Sequence, residues 1–393
     1  LKPEELSHIK EVITRMVADS TSAGIDNGGV KLVLDNGEIG GIIDLGDAKV
    51  DFTEVVAKTS KNPALHNRAV AAVKKALEVY TKNGNFASHL TGKEQIITLK
   101  NDSLAIDLST KGGTTSRAAL QAYKAFNSPH VEVFTPGDND YSFTLSNNTQ
   151  RFDTRNFYFS PVQLNDSTVL MQLDLGGGAK WGLKYTLVPG SYMVRMEMVQ
   201  ENMTSIIPLN INTVDFNWHQ KMSRHEEGKM FEERNSAIYY KYYGESGDVE
   251  YTSENGDDEQ DINDKLKWIS TKNQFFSAVL INDSCFTGAQ LVSKEIGKDN
   301  KDYGKYLKDM TIHTVVPYAS DKAQPASFYF YLGPNRYNTL RDYDIYSPKE
   351  DLQLTRLIPL GWKLFRWINT GIIIPVFSWL GKFINGYGII ILI

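Results

Sequence analysis

Short strand-like segments separated by turn residues dominate the sequence from Thr91 to Leu332, and they restrict the possible folds more than any other feature. The first two, QIITLK and SLAIDLST, are separated by Asn101-Asp102 and followed by Lys111-Gly112-Gly113, which predicts a hairpin with a glycine turn. Helical periodicity is almost absent from this part of the chain. Many short strands with turns between them predict a large antiparallel β-sandwich.

The composition agrees with one large sheet-rich domain that carries appendages. Hydrophobic residues make up 41% of the chain and aromatic residues 11%, including 20 Tyr and 18 Phe, which is enough to fill a core. The formal net charge of -5 supplies no clustered basic face, so we expect no nucleic-acid partner. Cys285 is the only cysteine and cannot form an intrachain disulfide.

The N-terminal part of the sequence differs from the strand-rich part. Residues 3–19 and 64–81 have apolar residues at helical spacing, and residues 30–56 predict short strands joined by turns. We therefore predict a small α/β N-terminal appendage over residues 1–89, of unknown role.

The sandwich is predicted over residues 90–335. Within it, residues 244–264 are acidic and polar, which predicts a solvated loop. After Gly333-Pro334 the strand signal stops, and residues 336–358 predict a linker helix rich in charge.

Residues 359–385 predict an amphipathic helix in a membrane interface, with Pro375 kinking or dividing it. Leu364 and Ile368 share one helical face, while Lys363 and Arg366 share the other. Tryptophan is common at the headgroup level. The predicted membrane-interface residues are Trp362, Lys363, Phe365, Arg366, Trp367, Ile368 and Trp379.

The final apolar run predicts the start of a transmembrane helix over residues 386–393, after a break at Asn385-Gly386. Residues 387–393 cannot cross a bilayer alone, since a spanning helix needs about 20 residues. We therefore expect the sequence to be a fragment that is truncated inside this helix.

Several stretches of residues 90–393 resemble the bacterial YidC family, and particularly its Bacteroidota-type members. They appear in the same order as in the family. They are LTGKEQIITLKNDSLAIDLSTKGG (90–113), RHEEGKMFEERNSAIYYKY (224–242), LKWISTKNQFFSAVLI (266–281), FYFYLGPNRYNTL (328–340), PLGWKLFRWIN (359–369) and PVFSWLGKFINGYGIIILI (375–393). No family resemblance is found in residues 1–85.

The resemblance implies a periplasmic supersandwich similar to galactose mutarotase. It also implies a role in inserting and folding proteins of the bacterial inner membrane, alone or with the Sec translocon. The implied partners are nascent inner-membrane proteins, Sec translocon components and membrane lipid, with residues 90–335 in the periplasm. The family's hydrophilic groove carries a basic residue in the span that starts here at Tyr387, but the sequence ends before that residue, so no groove residue is assigned.

A mutarotase-like fold raises the question of an acid/base pair in a sugar cleft. The candidates are His219, His225, Glu226 and Glu227. The last three lie in a charged stretch typical of a solvated or ion-paired surface, and His219, at a strand end, is typical of a packed or capping histidine. We therefore predict no catalytic residue and no enzyme activity, because fold analogy alone does not establish chemistry.

No cofactor or metal site is predicted either. The seven histidines are scattered, and Cys285 alone cannot anchor zinc. Gly176-Gly177-Gly178 lacks the lysine and the helix of a phosphate loop, which favours a hairpin tip. Phe275-Phe276 could anchor a partner, but aromatic residues within a strand run are more typical of a core.

Two alternative functions remain open from the sequence. One is a carbohydrate-binding or mutarotase-like protein, which would need convergent acid/base residues in a cleft. The other is a periplasmic chaperone domain, which would bind unfolded client proteins without the terminal helix.

Overall fold

The computed structural model describes most of the strand-rich part of the chain and short segments on either side of it. The described residues are 42–44, 49–51, 82–245, 247–345, 351–360, 368–381 and 383. The helices predicted over residues 3–19 and 64–81 lie outside them.

The described strands are short and follow one another with few helices between them. In chain order they are β1 (Ile42–Asp44), β2 (Lys49–Asp51), β3 (Ile96–Lys100), β4 (Leu104–Ser109), β5 (Thr114–Leu120), β6 (Val131–Phe134), β7 (Asn139–Ser146), β8 (Arg151–Asp153), β9 (Ser160–Asn165), β10 (Thr168–Asp174), β11 (Lys180–Leu187), β12 (Met193–Glu201), β13 (Thr213–Ser223), β14 (Ala237–Tyr242), β15 (Val249–Tyr251), β16 (Asp258–Ile262), β17 (Leu266–Lys272), β18 (Phe276–Phe286), β19 (Ala289–Glu295), β20 (Tyr306–Pro317) and β21 (Ala326–Pro334).

Helical elements are few among the described residues. The α-helices are α1 (Lys229–Glu233), α2 (Tyr337–Ile345) and α3 (Ile374–Leu380), and a π-helix (Asn369–Ile373) directly precedes α3. Four 3₁₀ turns occupy Gly84–His89, Thr154–Asn156, Met203–Ser205 and Leu354–Leu357.

The described strands form two large sheets, one smaller sheet and a hairpin. A nine-stranded sheet has the order β15-β14-β17-β18-β21-β12-β11-β10-β9, and a six-stranded sheet has the order β16-β19-β20-β13-β7-β8. β3 to β6 form a four-stranded sheet, and β1 pairs with β2. All these pairings are antiparallel. The predicted mainly β, antiparallel architecture is confirmed.

The main core lies between the nine-stranded and six-stranded sheets. Trp218 of β13 packs edge-on against Phe330 of β21 with ring centroids 5.6 Å apart, and Phe143 of β7 lies 5.8 Å from Phe328. All four side chains are buried. Aromatic pairs in such geometries contribute beyond the area that they bury, so the two sheets are held together mainly by rings from β7, β13 and β21.

The packing of the sandwich begins before residue 90. Phe86, in the first 3₁₀ turn, is fully buried and stacks on Phe152 and Phe157 at centroid distances of 4.5 and 5.1 Å. The Asn85 side chain donates to the carbonyl oxygen of Leu175 at 2.7 Å. The predicted boundary at residue 89 therefore falls inside the sandwich. The turn consists mostly of small and polar residues, so its sequence does not indicate that Phe86 belongs to the core.

The prediction of a loop over residues 244–264 is wrong, although most of the described residues there are exposed or partly exposed, as predicted. β15 pairs with β14 at one end of the nine-stranded sheet, and β16 pairs with β19 at one end of the six-stranded sheet. Edge strands have one neighbour and a solvated side, so they tolerate polar sequence. The acidic composition reflects their edge position.

Candidate functional site

The nine-stranded sheet is buried on both faces around β17, whereas the six-stranded sheet has one solvated face. Along β13 every second side chain from Val214 to Met222 is buried, and those between are partly exposed, as expected for a half-solvated antiparallel strand. Along β17 all seven residues are buried. A further layer therefore covers the outer face of the nine-stranded sheet around β17.

That layer is the linker, defined here as residues 336–360. Leu340 of α2 and three later leucines pack on apolar side chains of the outer sheet face and form a second core. The buried members of this core are Met193, Ala237, Tyr239, Val249, Trp268, Val279, Ile281, Tyr331, Leu340, Leu352, Leu354 and Leu357. The linker is thus docked on the sheet. The helix predicted over 336–358 occupies Tyr337–Ile345, and residues 351–353 are not helical.

Hydrogen bonds fix the position of the docked linker. The indole Nε1 of Trp268, which is fully buried, donates to the carbonyl oxygen of Leu352 at 2.7 Å. The Tyr343 hydroxyl lies 2.8 Å from Ser191 Oγ and accepts from the backbone N–H of Tyr192 at 2.9 Å. These bonds join the linker to β17 and to the turn before β12, so both parts of the linker are tied to the sheet.

A carboxylate caps the turn that ends the linker. Asp344 Oδ1 accepts from the backbone N–H of Leu354 at 2.6 Å, and Oδ2 faces the N–H of Thr355 at 3.4 Å. The pKa of Asp344 is raised to about 6, mainly by burial; the N–H groups of Leu354 and Thr355 oppose the rise, and the charge of Asp351 adds a smaller contribution to it. The ionised cap is therefore paired but only partly compensated for its lost hydration.

This pKa predicts that the linker is more stable in acid. Since the folded pKa exceeds the unfolded value, the folded chain binds more protons between about pH 4 and 6, and stability falls as pH rises through that range. Urea unfolding measures this at pH 4.5 and pH 7. The free energy of unfolding of the parent, relative to that of Asp344→Asn, should be higher at pH 4.5, because the amide does not titrate. An equal difference at both pH values would contradict the assignment.

A groove of about 900 Å³ opens beside the docked linker. Its walls are the turn before β12, the outer residues of β12, β18 and β21, and Asp342 and Tyr343 of α2. Arg195 donates to the Tyr329 hydroxyl at 2.6 Å and to Asp283 at 3.3 Å. Arg195 and Asp283 are paired with each other, while Lys267 and Asp342 add two further charged residues to the apolar lining.

The terminal helix, residues 368–381, follows the linker in the sequence. Its turns are widened over Asn369–Ile373, where the N–H of Ile374 bonds to the carbonyl of Asn369, immediately before Pro375. Proline cannot donate to the carbonyl four residues earlier, and a widened turn is a known way to accommodate that loss. The side chain of Asn338 in α2 donates to Ser378 Oγ at 3.2 Å, so the terminal helix contacts the start of the linker.

The terminal helix exposes large apolar side chains. Trp379 is 61% exposed, Ile372, Ile373 and Val376 are also exposed, and so is Phe383 just beyond the helix. Among the described residues, no helix combines the length and the apolar character needed to span a membrane.

Of the predicted membrane-interface residues, Ile368 is half-buried and Trp379 is exposed. The other five, Trp362, Lys363, Phe365, Arg366 and Trp367, lie outside the described residues. Their role at an interface stays a prediction.

The four acid/base candidates do not converge on one cleft. His219 is half-exposed on β13 and pairs with Asp309 at 2.7 Å. His225 is buried, not on the surface as predicted, because its ring packs on Phe276 at a centroid distance of 5.5 Å. Glu226 and Glu227 are exposed.

Sequence reasoning missed the acidic residue that His225 contacts. His225 Nδ1 lies 3.3 Å from Glu232 Oε1, and the Glu232 side chain is fully buried. Glu232 lies seven residues further along the chain, in α1. No sequence pattern distinguishes Glu232 from the other charged residues of this run. Its contact with His225 arises only because α1 turns the chain back toward residue 225.

The remaining predictions are resolved as follows. All three glycines of Gly176-Gly177-Gly178 have φ between 60° and 79° and form the tip between β10 and β11, which confirms a hairpin tip. Phe276 is buried, whereas Phe275 is 41% exposed, so the core assignment holds for one of the two. Within the described parts of the chain, no three His, Cys, Asp or Glu residues could hold a metal ion together.

A family model described as the YidC periplasmic domain matches residues 96–374, which is more than half of the chain. The chain belongs to the YidC family. The matched span includes the sandwich, the docked linker and the start of the terminal helix, so the resemblance seen in the sequence is confirmed.

Proteins named membrane protein insertase YidC match over most of this chain. That of Parabacteroides distasonis is 36% identical over 313 residues, covering 79% of this chain and 48% of its own length. That of Azobacteroides pseudotrichonymphae is also 36% identical, covering 79% and 50%, and that of Porphyromonas gingivalis is 34% identical, covering 80% and 50%. The chain spans about half the length of the relatives it matches. Their name designates an insertase and indicates no enzyme activity.

Solved structures of mutarotase-like proteins are similar at a lower level. A galactose mutarotase-like protein from Lactobacillus casei has a TM-score of 0.37 at 10% identity, covering 61% of this chain and 100% of its own. The GalM/aldose epimerase homologue from C. elegans has a TM-score of 0.35 at 10% identity, covering 62% and 99%. Similarity at this level says nothing about the chemistry of the YidC chain.

Proposed function

We propose that this chain supplies the periplasmic part of a membrane protein insertase, which assists the insertion and folding of inner-membrane proteins, alone or with the Sec translocon. The observation that carries the proposal is the docked linker. Because its leucines are packed into the outer sheet face, the sandwich and the segment that leads to the membrane move as one body. The sandwich then positions the membrane helices that follow.

The proposal places residues 90–335 in the periplasm and the following residues at the bacterial inner membrane. Residues 336–358 connect the sandwich to an interfacial helix over 359–385, and residues 386–393 begin a transmembrane helix. Residues 1–89 contribute an appendage, apart from the turn around Phe86 that packs on the sandwich. Nascent inner-membrane proteins, Sec translocon components and lipid are the partners, and the domain performs no covalent chemistry.

A domain exchange tests the proposal. The corresponding domain of the Parabacteroides distasonis relative is replaced by residues 84–374 of this chain, which adds the core turn around Phe86 to the matched span. Insertion of a membrane protein is measured in cells depleted of their own insertase. We expect the exchanged protein to restore insertion. A folded, membrane-located chimera without activity would contradict the proposed function.

A paired variant tests the role of the docked linker in the same assay. Leu354→Asp with Leu357→Asp places charges in the second core, where both leucines are fully buried, and should undock the linker and reduce insertion several-fold. Leu209→Asp is the control, because Leu209 is 66% exposed. Equal insertion by both variants would show that docking is irrelevant.

Vesicle binding tests the predicted interface residues. Replacing Lys363 and Arg366 by glutamine removes two cations from the helix, and each contributes about 1 kcal/mol to attraction toward anionic lipid. We expect the full chain to lose its preference for anionic over neutral vesicles by about 10- to 30-fold. Replacing Lys298 and Lys301, which are exposed before β20, should leave the preference unchanged, and an equal loss there would contradict the assignment.

A further inference from the structure

One buried carboxylate holds three loops together at one end of the sandwich. Glu232 accepts from the backbone N–H groups of His225 and Glu226, each at 3.0 Å, and from the side-chain nitrogen of Asn273 at 2.8 Å. The carbonyl oxygen of His225 accepts in turn from the N–H of Phe126 at 3.0 Å. The loops that follow β5, β13 and β17 are therefore fixed to a common point.

Each of these loops carries at least one large exposed apolar side chain. Phe231 is 70% exposed and Met230 is 58% exposed on α1, while Phe126 and Phe275 are exposed on the other two loops. The Asn273 side chain caps its own turn by accepting from the N–H of Phe275 at 3.0 Å. These four side chains, Phe126, Met230, Phe231 and Phe275, are called the apolar tip below. The shared anchor gives them fixed positions.

The apolar tip is connected to the terminal helix through the start of the linker. Asn335 donates its backbone N–H to the carbonyl of Phe275 at 2.6 Å and its side chain to the carbonyl of Asn273 at 3.0 Å. Three residues later, Asn338 contacts Ser378. The exposed apolar side chains of the terminal helix and of the tip thus lie at the same end of the sandwich.

We propose that the apolar tip is a second membrane contact, which inserts its aromatic and methionine side chains into the lipid headgroup region beside the terminal helix. The inference rests on the proposed function, since it requires the chain to work at a membrane. Aromatic side chains are favoured at that depth, and clusters of exposed apolar groups mark interaction surfaces.

A lipid surface fits the tip better than a client segment does. A side chain such as Phe231, at 70% exposure, protrudes, whereas an apolar peptide binds in a concave groove. Two nearby cations lie on aromatic rings, with Arg224 4.5 Å from the Phe126 ring and Lys229 4.0 Å from the Tyr303 ring. The exposed charges beside the tip are mixed in sign, with Lys124 and Arg234 balanced by Glu226 and Glu227. The tip should therefore bind neutral lipid as well as anionic lipid.

A fluorescence measurement on the full chain tests the proposal. In a Cys285→Ser background, Phe231→Cys is labelled with a polarity-sensitive dye, and neutral phosphatidylcholine vesicles are added. We expect a blue shift that persists when Lys363 and Arg366 are replaced by glutamine. The matched control is a label at Leu209→Cys, because Leu209 precedes β13 and the tip follows it, and the eleven residues of β13 separate them by roughly 35 Å. That label should not shift.

A partition measurement provides the second readout. Met230→Ser with Phe231→Ser should weaken binding to neutral vesicles by about tenfold or more, with thermal unfolding unchanged because both side chains are exposed. Leu209→Ser should bind like the parent.

Three results would overturn the inference. If the chain binds vesicles but the label at 231 does not shift, the tip is not a membrane contact, while the proposed function stands. A shift produced by an apolar peptide and not by vesicles would assign the tip to clients. A shift that depends on protein concentration without vesicles would assign it to contact between copies of the chain.

Discussion

Replacing Glu232 by alanine is expected to lower the free energy of unfolding by about 3 kcal/mol or more. The substitution removes the acceptor shared by the N–H groups of His225 and Glu226 and by the Asn273 side chain. A buried donor left without a partner costs about 1–3 kcal/mol, and this substitution removes the acceptor of three donors at once. Urea unfolding of the two proteins measures the difference.

Glu233 provides the matched control for Glu232. It lies on the same helix, keeps some exposure and pairs with Lys229 at 2.7 Å one helical turn away, so Glu233→Ala should cost less than about 1 kcal/mol. Glu232→Gln should fall between the two, because one acceptor oxygen remains. If Glu232→Ala and Glu233→Ala have equal effects, the buried carboxylate does not hold the three loops.

Replacing Trp268 by alanine should both destabilise the sandwich and release the linker. Trp268 is fully buried in the second core and donates to Leu352. Large aromatic-to-alanine changes in a core cost about 3–5 kcal/mol, and the freed linker should expose Arg356 to trypsin. The measurements are urea unfolding and the rate of tryptic cleavage within the linker.

Two further tryptophan variants separate the hydrogen bond of Trp268 from its packing and provide an exposed control. Trp268→Phe retains most of the ring but loses the hydrogen bond, which predicts a loss of about 1–2 kcal/mol. Trp379→Ala removes an exposed ring and should change stability by less than about 0.5 kcal/mol. Faster cleavage of the linker in Trp379→Ala than in Trp268→Ala would contradict the docking of the linker through Trp268.

The six-stranded sheet could be predicted from sequence because its strands carry the periodicity of a sheet with one solvated face. β13 alternates buried and half-exposed residues through Phe216 and Trp218, and such alternation is visible without a structure. The edge strands β15 and β16 were missed because an edge position permits polar residues. No local pattern separates such a strand from a loop.

The docking of the linker was not predictable from the same patterns. Leu352, Leu354 and Leu357 follow neither the helical nor the strand period, because they pack from an irregular segment and a 3₁₀ turn. All residues of LKWISTK in β17 are buried because the docked linker covers the outer face of the sheet there. The sequence of β17 alone is compatible with either one or two covered faces. The Glu232 anchor depends likewise on contacts between distant loops.

The placement of β21 has a mechanical consequence. β21 is hydrogen-bonded to β12 on one side and to β18 on the other, whereas the linker that follows it is attached by side-chain packing and a few hydrogen bonds. Tension applied from the membrane side should therefore peel the linker away from residue 360 backward and stop at β21. The peeled linker, fully extended at about 3.5 Å per residue, would let the sheet and the terminal helix separate by roughly 90 Å while the sandwich stays folded.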